Sequence, residues 1–296
     1  MLTCQRHLFS LPDDLHFLNC AQMSPLLKSV EQAGIEGIRR KSVPTRIQPA
    51  DFFTESEALR GLLARLINGS PEQVALIPSA SYGVALATHH VPLRPGQNVV
   101  LPGGEFPSDV YGWMERCRAT GADLRLVPRP EPAPRPEPRP GAEAGEVAAA
   151  WNARLLEAID ERTAVVGLAP LHWTDGTPFD LLAIGRRARE VGAWFILDGT
   201  QSFGALPFDF QAVQPDLAVC AGYKWLLGPY QYGFAAVGPR LLEAAPLEMN
   251  WITRANSEDF TRLTQYQTAF QPGARRFDAG ERSNFILVPM LAAAVQ

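Results

Sequence analysis

Two stretches decide the fold: Leu197-Asp198-Gly199-Thr200-Gln201-Ser202, and further on Gly222-Tyr223-Lys224-Trp225. The first closes an apolar run, Ala193-Trp194-Phe195-Ile196-Leu197, that reads as a buried parallel strand ending on a carboxylate. The second follows another apolar run, Asp216-Leu217-Ala218-Val219-Cys220, and brings an amine to the same sheet edge. Ligands of open α/β sheets gather at the carboxyl ends of strands. The lysine is conspicuous by scarcity, because of 27 Lys and Arg residues only Lys28, Lys41 and Lys224 are lysine. Positive charge elsewhere is supplied by arginine. A lysine in this apolar, glycine-flanked setting can lose its proton and form an imine, which a guanidinium cannot.

Taken singly, Asp198 fits a strand-end turn and Lys224 a snorkelling helix start. Taken together they are what pyridoxal phosphate requires. The lysine carries the cofactor, and the carboxylate keeps the pyridine nitrogen protonated, which makes the ring a better electron sink.

Asp198-Gly199-Thr200-Gln201-Ser202-Phe203-Gly204 with Gly222-Tyr223-Lys224-Trp225-Leu226-Leu227-Gly228-Pro229 resembles the class V aminotransferase group. That group includes cysteine desulfurases, kynureninases and isopenicillin-epimerase-like proteins, and the resemblance runs from about Phe17 to the end of the chain. It implies the fold of the pyridoxal phosphate transferases related to aspartate aminotransferase, an amino acid substrate and a homodimer. It places Asp198 at the ring nitrogen, Gln201 near the ring hydroxyl, Tyr223 near the phosphate (relatives often have His there) and Lys224 as the Schiff-base lysine.

The 296 residues are 46% hydrophobic and 20% charged, which fits a globular protein with a substantial core. A net charge of -4 gives no reason to expect nucleic acid or an anionic membrane as partner. No apolar stretch is long enough to span a bilayer, and the start lacks a signal-peptide core. Cys4, Cys20, Cys117 and Cys220 are scattered, which reads as free thiols in the cytoplasm and as no metal site.

Along the chain, helices are expected over about 25–40, 53–67 and 79–90, and strands near 74, 98, 124, 163, 194, 217 and 234. Helices between most strands give an α/β fold, a seven-stranded, mostly parallel sheet covered on both faces. The turn Ser79-Ala80-Ser81-Tyr82-Gly83 leaves backbone N–H groups at a helix start, where a phosphate can sit. The resemblance gives that role to Ala80 and Ser81. Without a P-loop lysine or a Gly-x-Gly-x-x-Gly string, nucleotide binding is disfavoured. In Phe106-Pro107-Ser108-Asp109, an aromatic heads a helix and can lie flat on a pyridine ring. The string resembles the kynureninase version of the family, which implies stacking by Phe106 and a substrate or phosphate contact by Asp109. Every even position from 128 to 140 is proline, so polyproline II is expected there, then a loose linker over 141–146 and a helix over 147–160. Trp151, Leu155 and Ile159 make an apolar stripe on that helix.

His172-Trp173-Thr174 stands where relatives place an Asn near the cofactor, so His172 and Trp173 are expected to line the site. Asn19 is a further substrate candidate, against a plain turn role. The segment Phe277 to Asn284 resembles a family stretch that crosses a dimer interface, which makes Arg282 a candidate for substrate or phosphate. The chain divides into an N-terminal segment (1–50), a cofactor-binding large domain (51–250, with a Pro-rich insertion at 128–146) and the start of an interface region (251–296). The apolar run 285–295 has no glycine stop and is expected to expose an apolar patch; the family's C-terminal domain, with its substrate-gripping arginine, is expected to be missing. The function expected is chemistry at an amino acid's α-carbon, with transamination as the default. Lyase or hydrolase action, like that of cysteine desulfurases or kynureninases, and cofactor binding without turnover are the alternatives.

Overall fold

The computed structural model describes residues 3–131 and 140–296. Seven strands form one sheet: β1 (Val74–Ile77), β2 (Asn98–Pro102), β3 (Asp123–Val127), β4 (Thr163–Leu168), β5 (Trp194–Asp198), β6 (Leu217–Ala221) and β7 (Gly233–Val237). Their order is β1-β7-β6-β5-β4-β2-β3. Pairing is parallel from β6 through β3, while β7 runs antiparallel to both of its neighbours. The helices are α1 (Lys28–Lys41), α2 (Asp51–Leu66), α3 (Ala80–His90), α4 (Pro107–Thr120), α5 (Pro140–Ala158), α6 (Leu181–Glu190), α7 (Phe210–Val213) and α8 (Leu287–Val295). The α/β class, the seven strands and the mostly parallel sheet are as the sequence led us to expect.

The strands are apolar at successive positions because both faces are covered. In β6, Leu217 and Val219 pack with α3 and α4 on one face, while Ala218 and Cys220 join α2, α5, α6 and α8 on the other. Each large aliphatic side chain so buried contributes about 1.5–3 kcal/mol. Gly83 lets α3 settle on the sheet, since a Cβ there would come 2.3 Å from Val219 Cγ1. The start of α3 therefore lies against the end of β6, one strand away from Asp198.

Two expectations are corrected. The helix after the proline run starts at Pro140, not at Val147, and ends at Ala158. Proline in a first helical turn has no N–H to lose, and the alanines and glutamates that follow favour helix despite two glycines. The polyproline expectation falls mostly on residues 132–139, outside those described. The stripe Trp151, Leu155 and Ile159 is buried, and Trp151 Nε1 donates to Val127 O at 2.9 Å.

The second correction concerns α8, whose apolar run 285–295 is partly covered, with two residues buried and the other nine half-buried. Val288 and Leu291 are buried, and the helix lies on α1 and α2. Glycines in α1 admit it: a Cβ on Gly34 would lie 2.9 Å from Met290 Sδ, and one on Gly37 2.6 Å from Phe285 O.

Candidate active site

A cavity of about 280 Å³ opens at the carboxyl ends of the central strands. β5 ends on Asp198, and the loop after β6 carries Lys224, so neighbouring strands put acid and amine on one wall. The loop from Gly222 to Tyr232 is tight. Gly222 N donates to Tyr232 O at 2.8 Å, and Gly228 N donates to Gly222 O at 2.9 Å. Leu227 and Gln231 take left-handed backbone angles (φ 56° and 64°), a conformation that costs a non-glycine residue free energy and clusters at functional sites. Lys224 is 7% exposed, and burial lowers its pKa against the opposing pull of Asp198.

Phe106 caps the start of α4 and turns its ring to the cavity; Lys224 Nζ lies 5.5 Å from the ring centroid. Trp173 meets Phe106 edge-on with centroids 5.5 Å apart, held by its Nε1 donating to Gly104 O at 2.8 Å. Opposite, the first turn of α3 presents Ala80 and Ser81, while Ser79 Oγ accepts Tyr82 N at 3.1 Å and caps the helix. Gln201 is fixed from two sides: its Nε2 donates to Ala21 O at 3.0 Å and its Oε1 accepts Trp225 Nε1 at 3.0 Å. Tyr223 also lines the cavity, its ring 4.6 Å from that of Tyr230.

Three carboxyls face this single amine. Asp198 Oδ1 accepts Thr200 N at 2.8 Å. Burial raises its pKa, and hydrogen bonds from Thr200, with the nearby Lys224 charge, oppose the rise. Asp109 reaches in from α4 to the Asp198 carboxyl; burial first, then the negative charge of Asp198, raise its pKa well above the usual range. Between the two, Asp109 keeps the proton. Glu105, 5% exposed, has Oε1 accepting Phe106 N at 2.9 Å, while Oε2 is buried without a partner. Burial pushes its pKa up to about 7.

The structure thus brings Ala80, Ser81, Phe106, Asp109, Trp173, Asp198, Gln201, Tyr223 and Lys224 around one cavity. Three candidates stand elsewhere. His172 is 3% exposed behind the wall, packed on Trp151 at 4.8 Å with Nδ1 bonded to Thr174 Oγ1 at 2.8 Å, so it does not line the site. Asn19 is exposed and closes its own turn, its Nδ2 donating to Gln22 Oε1 at 3.1 Å. Arg282 is 4% exposed, lies outside this cavity and is paired with Asp278 (3.0 Å) and Glu57 (3.5 Å). Sequence reading missed Glu105, Thr200 and Tyr230, all of which line the cavity. Glu105 was hidden in a Gly-Gly turn, although a carboxylate flanked by an aromatic at a strand exit was a usable signal.

A family model described as class V aminotransferase matches residues 48–294. A probable cysteine desulfurase of Methanothermobacter thermautotrophicus is 29% identical over 216 residues, 72% of this chain and 50% of that protein. The isopenicillin N epimerase of Streptomyces clavuligerus is 27% identical over 237 residues, 78% of this chain and 56% of the relative. The chain thus spans about half the length of the relatives it matches. Among solved structures, a C-DES variant with glycine covalently linked to its pyridoxal phosphate cofactor superposes with a TM-score of 0.80 at 20% identity. The match covers 99% of this chain and 73% of that one, and it bears on the fold.

Proposed function

Because the chain belongs to the class V aminotransferase family, we propose that its cavity serves a pyridoxal phosphate enzyme that acts at the α-carbon of an amino acid and releases a β-substituent, with sulfur amino acids as the first substrate class. The observation that carries the reading is one buried lysine, Lys224, facing both the Phe106 ring and the Asp198 carboxyl in a single cavity. The cavity fits the cofactor in its donor set: an amine, an aromatic face, an acid and a helix start. Asp198 and Lys224 are the proposed catalytic pair, with Ala80, Ser81, Phe106, Gln201 and Tyr223 as cofactor contacts.

When bound, pyridoxal phosphate withdraws electrons from the substrate's α-carbon. The chain's own groups do the rest. Asp198, ionised, holds a proton on the ring nitrogen. Phe106 and Trp173 fix the ring plane and narrow the opening to water. Lys224 Nζ, its pKa lowered by burial, is in position to take the α-proton and to deliver it again. Among the lining residues there is no arginine, so Lys224 is the cavity's one basic side chain.

The relative named as a probable cysteine desulfurase supports release of sulfur over transfer of the amino group. The family's description supports transamination as the second reading. A homodimer in a reducing compartment belongs to the same proposal; the four cysteines are free, and no described helix is long and apolar enough to cross a membrane. Incubation with L-cysteine, and separately with L-alanine plus a 2-oxo acid, decides between the readings. Sulfide release is expected. Amino transfer outrunning sulfide release would establish the second reading, and a bound cofactor with neither product would mean binding without turnover.

A further inference from the structure

Lys224 can serve the cavity only while its amine stays turned to it, and both of its neighbours in the chain are tied down from outside their own loop. Before it, Tyr223 O accepts two hydrogen bonds from Ser24 of the N-terminal segment, from the N–H at 3.0 Å and from Oγ at 3.2 Å. After it, the half-buried Trp225 donates its Nε1–H to Gln201 Oε1 at 3.0 Å. Gln201 is held in turn, because its Nε2 donates to Ala21 O at 3.0 Å, in the same N-terminal segment as Ser24. One amide hydrogen of Gln201 is left for a ligand. The backbone of Trp225 is seated as well: Gly204 has φ 92°, and a Cβ there would stand 2.5 Å from Trp225 O. Gln201 and Gly204 both lie in the loop that follows Asp198, so the acid's loop grips the residue next to the amine. We propose that Trp225 is a positioning residue for Lys224: its indole N–H, received by Gln201, holds the lysine's backbone so that the amine stays at the Phe106 ring.

An indole N–H finds an acceptor in most folds, so the bond by itself would serve packing. Its acceptor gives it a further task, because Gln201 lines the cavity while Trp225 stands outside the lining. Within the loop, Gly222 N, Leu227 N and Gly228 N donate to Tyr232, Lys224 and Gly222. Trp225 adds the side-chain bond that reaches across to the loop after β5. A lysine side chain has many rotamers, and fixing the backbone beneath it raises the effective concentration of its amine at a bound aldehyde. The inference rests on the reading of the cavity as a pyridoxal phosphate site only for its first test.

That test measures the dissociation constants of pyridoxal phosphate and of pyridoxine phosphate for wild type and Trp225→Phe. Pyridoxine phosphate carries an alcohol in place of the aldehyde. It fills the same site but cannot condense with Lys224, a step in which amine and aldehyde form a C=N bond and release water. The ratio of the two constants therefore reports how well the amine is placed. Phenylalanine keeps an aromatic ring and removes the N–H. Loss of this hydrogen bond should lower the ratio roughly three- to tenfold and leave the pyridoxine phosphate constant at its wild-type value. An unchanged ratio overturns the proposal, whether both ligands keep their affinity or lose it together. The second test needs no cofactor: amide hydrogen exchange at Leu227 and Gly228, whose N–H groups are bonded within the loop. Trp225→Phe and Gln201→Leu should each speed exchange there roughly three- to tenfold and leave the amides of β5 and β6 as in wild type. The double variant should exchange no faster than Gln201→Leu, since both substitutions remove the same bond. Wild-type exchange in Trp225→Phe, or effects that add in the double variant, overturns the proposal. Failure of wild type to bind either ligand, with the exchange result as expected, would refute the cofactor reading and not the role of Trp225.

Discussion

Among the described residues, two clusters of buried acids and bases are built on opposite terms. At the β1 edge, Arg60, Arg275 and Arg282 meet Glu57 and Asp278. Arg60 Nη2 lies 2.7 Å from Asp278 Oδ2, Arg275 Nη2 lies 2.8 Å from Glu57, and Asp278 Oδ1 also accepts Leu76 N at 2.7 Å. Three cations face two anions there, and the cations are arginines, which do not lose their protons. Against a burial that would depress it, Asp278 and Glu57 hold Arg60 above its ordinary pKa. At the cavity three carboxyls face one lysine, Glu105 keeps an unpartnered oxygen, and the shifts run toward neutral forms. The first cluster fixes the strand edge and the segment before α8. The second keeps protons mobile near neutral pH, as acid–base chemistry demands. The difference lies in whether each charge is matched, since both clusters draw on the same residue types.

The widest separation between the clusters should appear on removing one acid from each. Asp278→Ala takes from the fully buried Arg60 the nearer of its two carboxylates, leaving Glu57, and should cost about 3–5 kcal/mol, read from denaturant midpoints. Asp198→Asn should stay within about 1 kcal/mol of wild type while losing the cofactor's visible absorbance. Equal losses of stability would erase the distinction.

A smaller effect sharpens it through pH. The Glu105 carboxyl is held up at about 7, above its value of 4.5 in the open chain, so the folded state binds the extra proton between those values. Stability from this group is full below pH 4.5 and falls as pH rises through 7, by about 3 kcal/mol at 1.36 kcal/mol per unit. Cofactor-free wild type should show that decline relative to Glu105→Gln, and parallel pH profiles for the two proteins would remove Glu105 from the titrating cluster. The smallest effect is expected from Asp109→Leu. Replacing one member of an acid pair by an apolar side chain should change stability by about 1 kcal/mol or less, in contrast to Asp278→Ala. A loss as large as that of Asp278→Ala would mean that the pair at the cavity also fastens the fold.

The two clusters also differed in how far the sequence disclosed them. Lys224 and Asp198 were legible because each ends an apolar run and because lysine is rare in this chain. The seven strands were legible for the same reason, buried on both faces and apolar throughout. The arginine cluster was not, because Arg60 looks like any helix-surface arginine until Asp278, 218 positions away, arrives beside it. The partners of Arg282 within the chain, Asp278 and Glu57, are likewise set by tertiary packing, which local pattern does not carry. His172 looked like a site residue by its place after β4, yet its ring turns back onto Trp151. For α8, the glycines Gly34 and Gly37, on one face of α1, were the signal that a partner helix would close on it.

The most direct measurement is to reduce the cofactor-loaded protein with borohydride, digest it and map the modified peptide. The expected result is pyridoxal phosphate fixed to Lys224 alone, with Lys28 and Lys41 unmodified and no fixation in Lys224→Ala. Fixation to Lys28 or Lys41, or a reducible covalent cofactor persisting in Lys224→Ala, would contradict the assignment of this cavity as the active site.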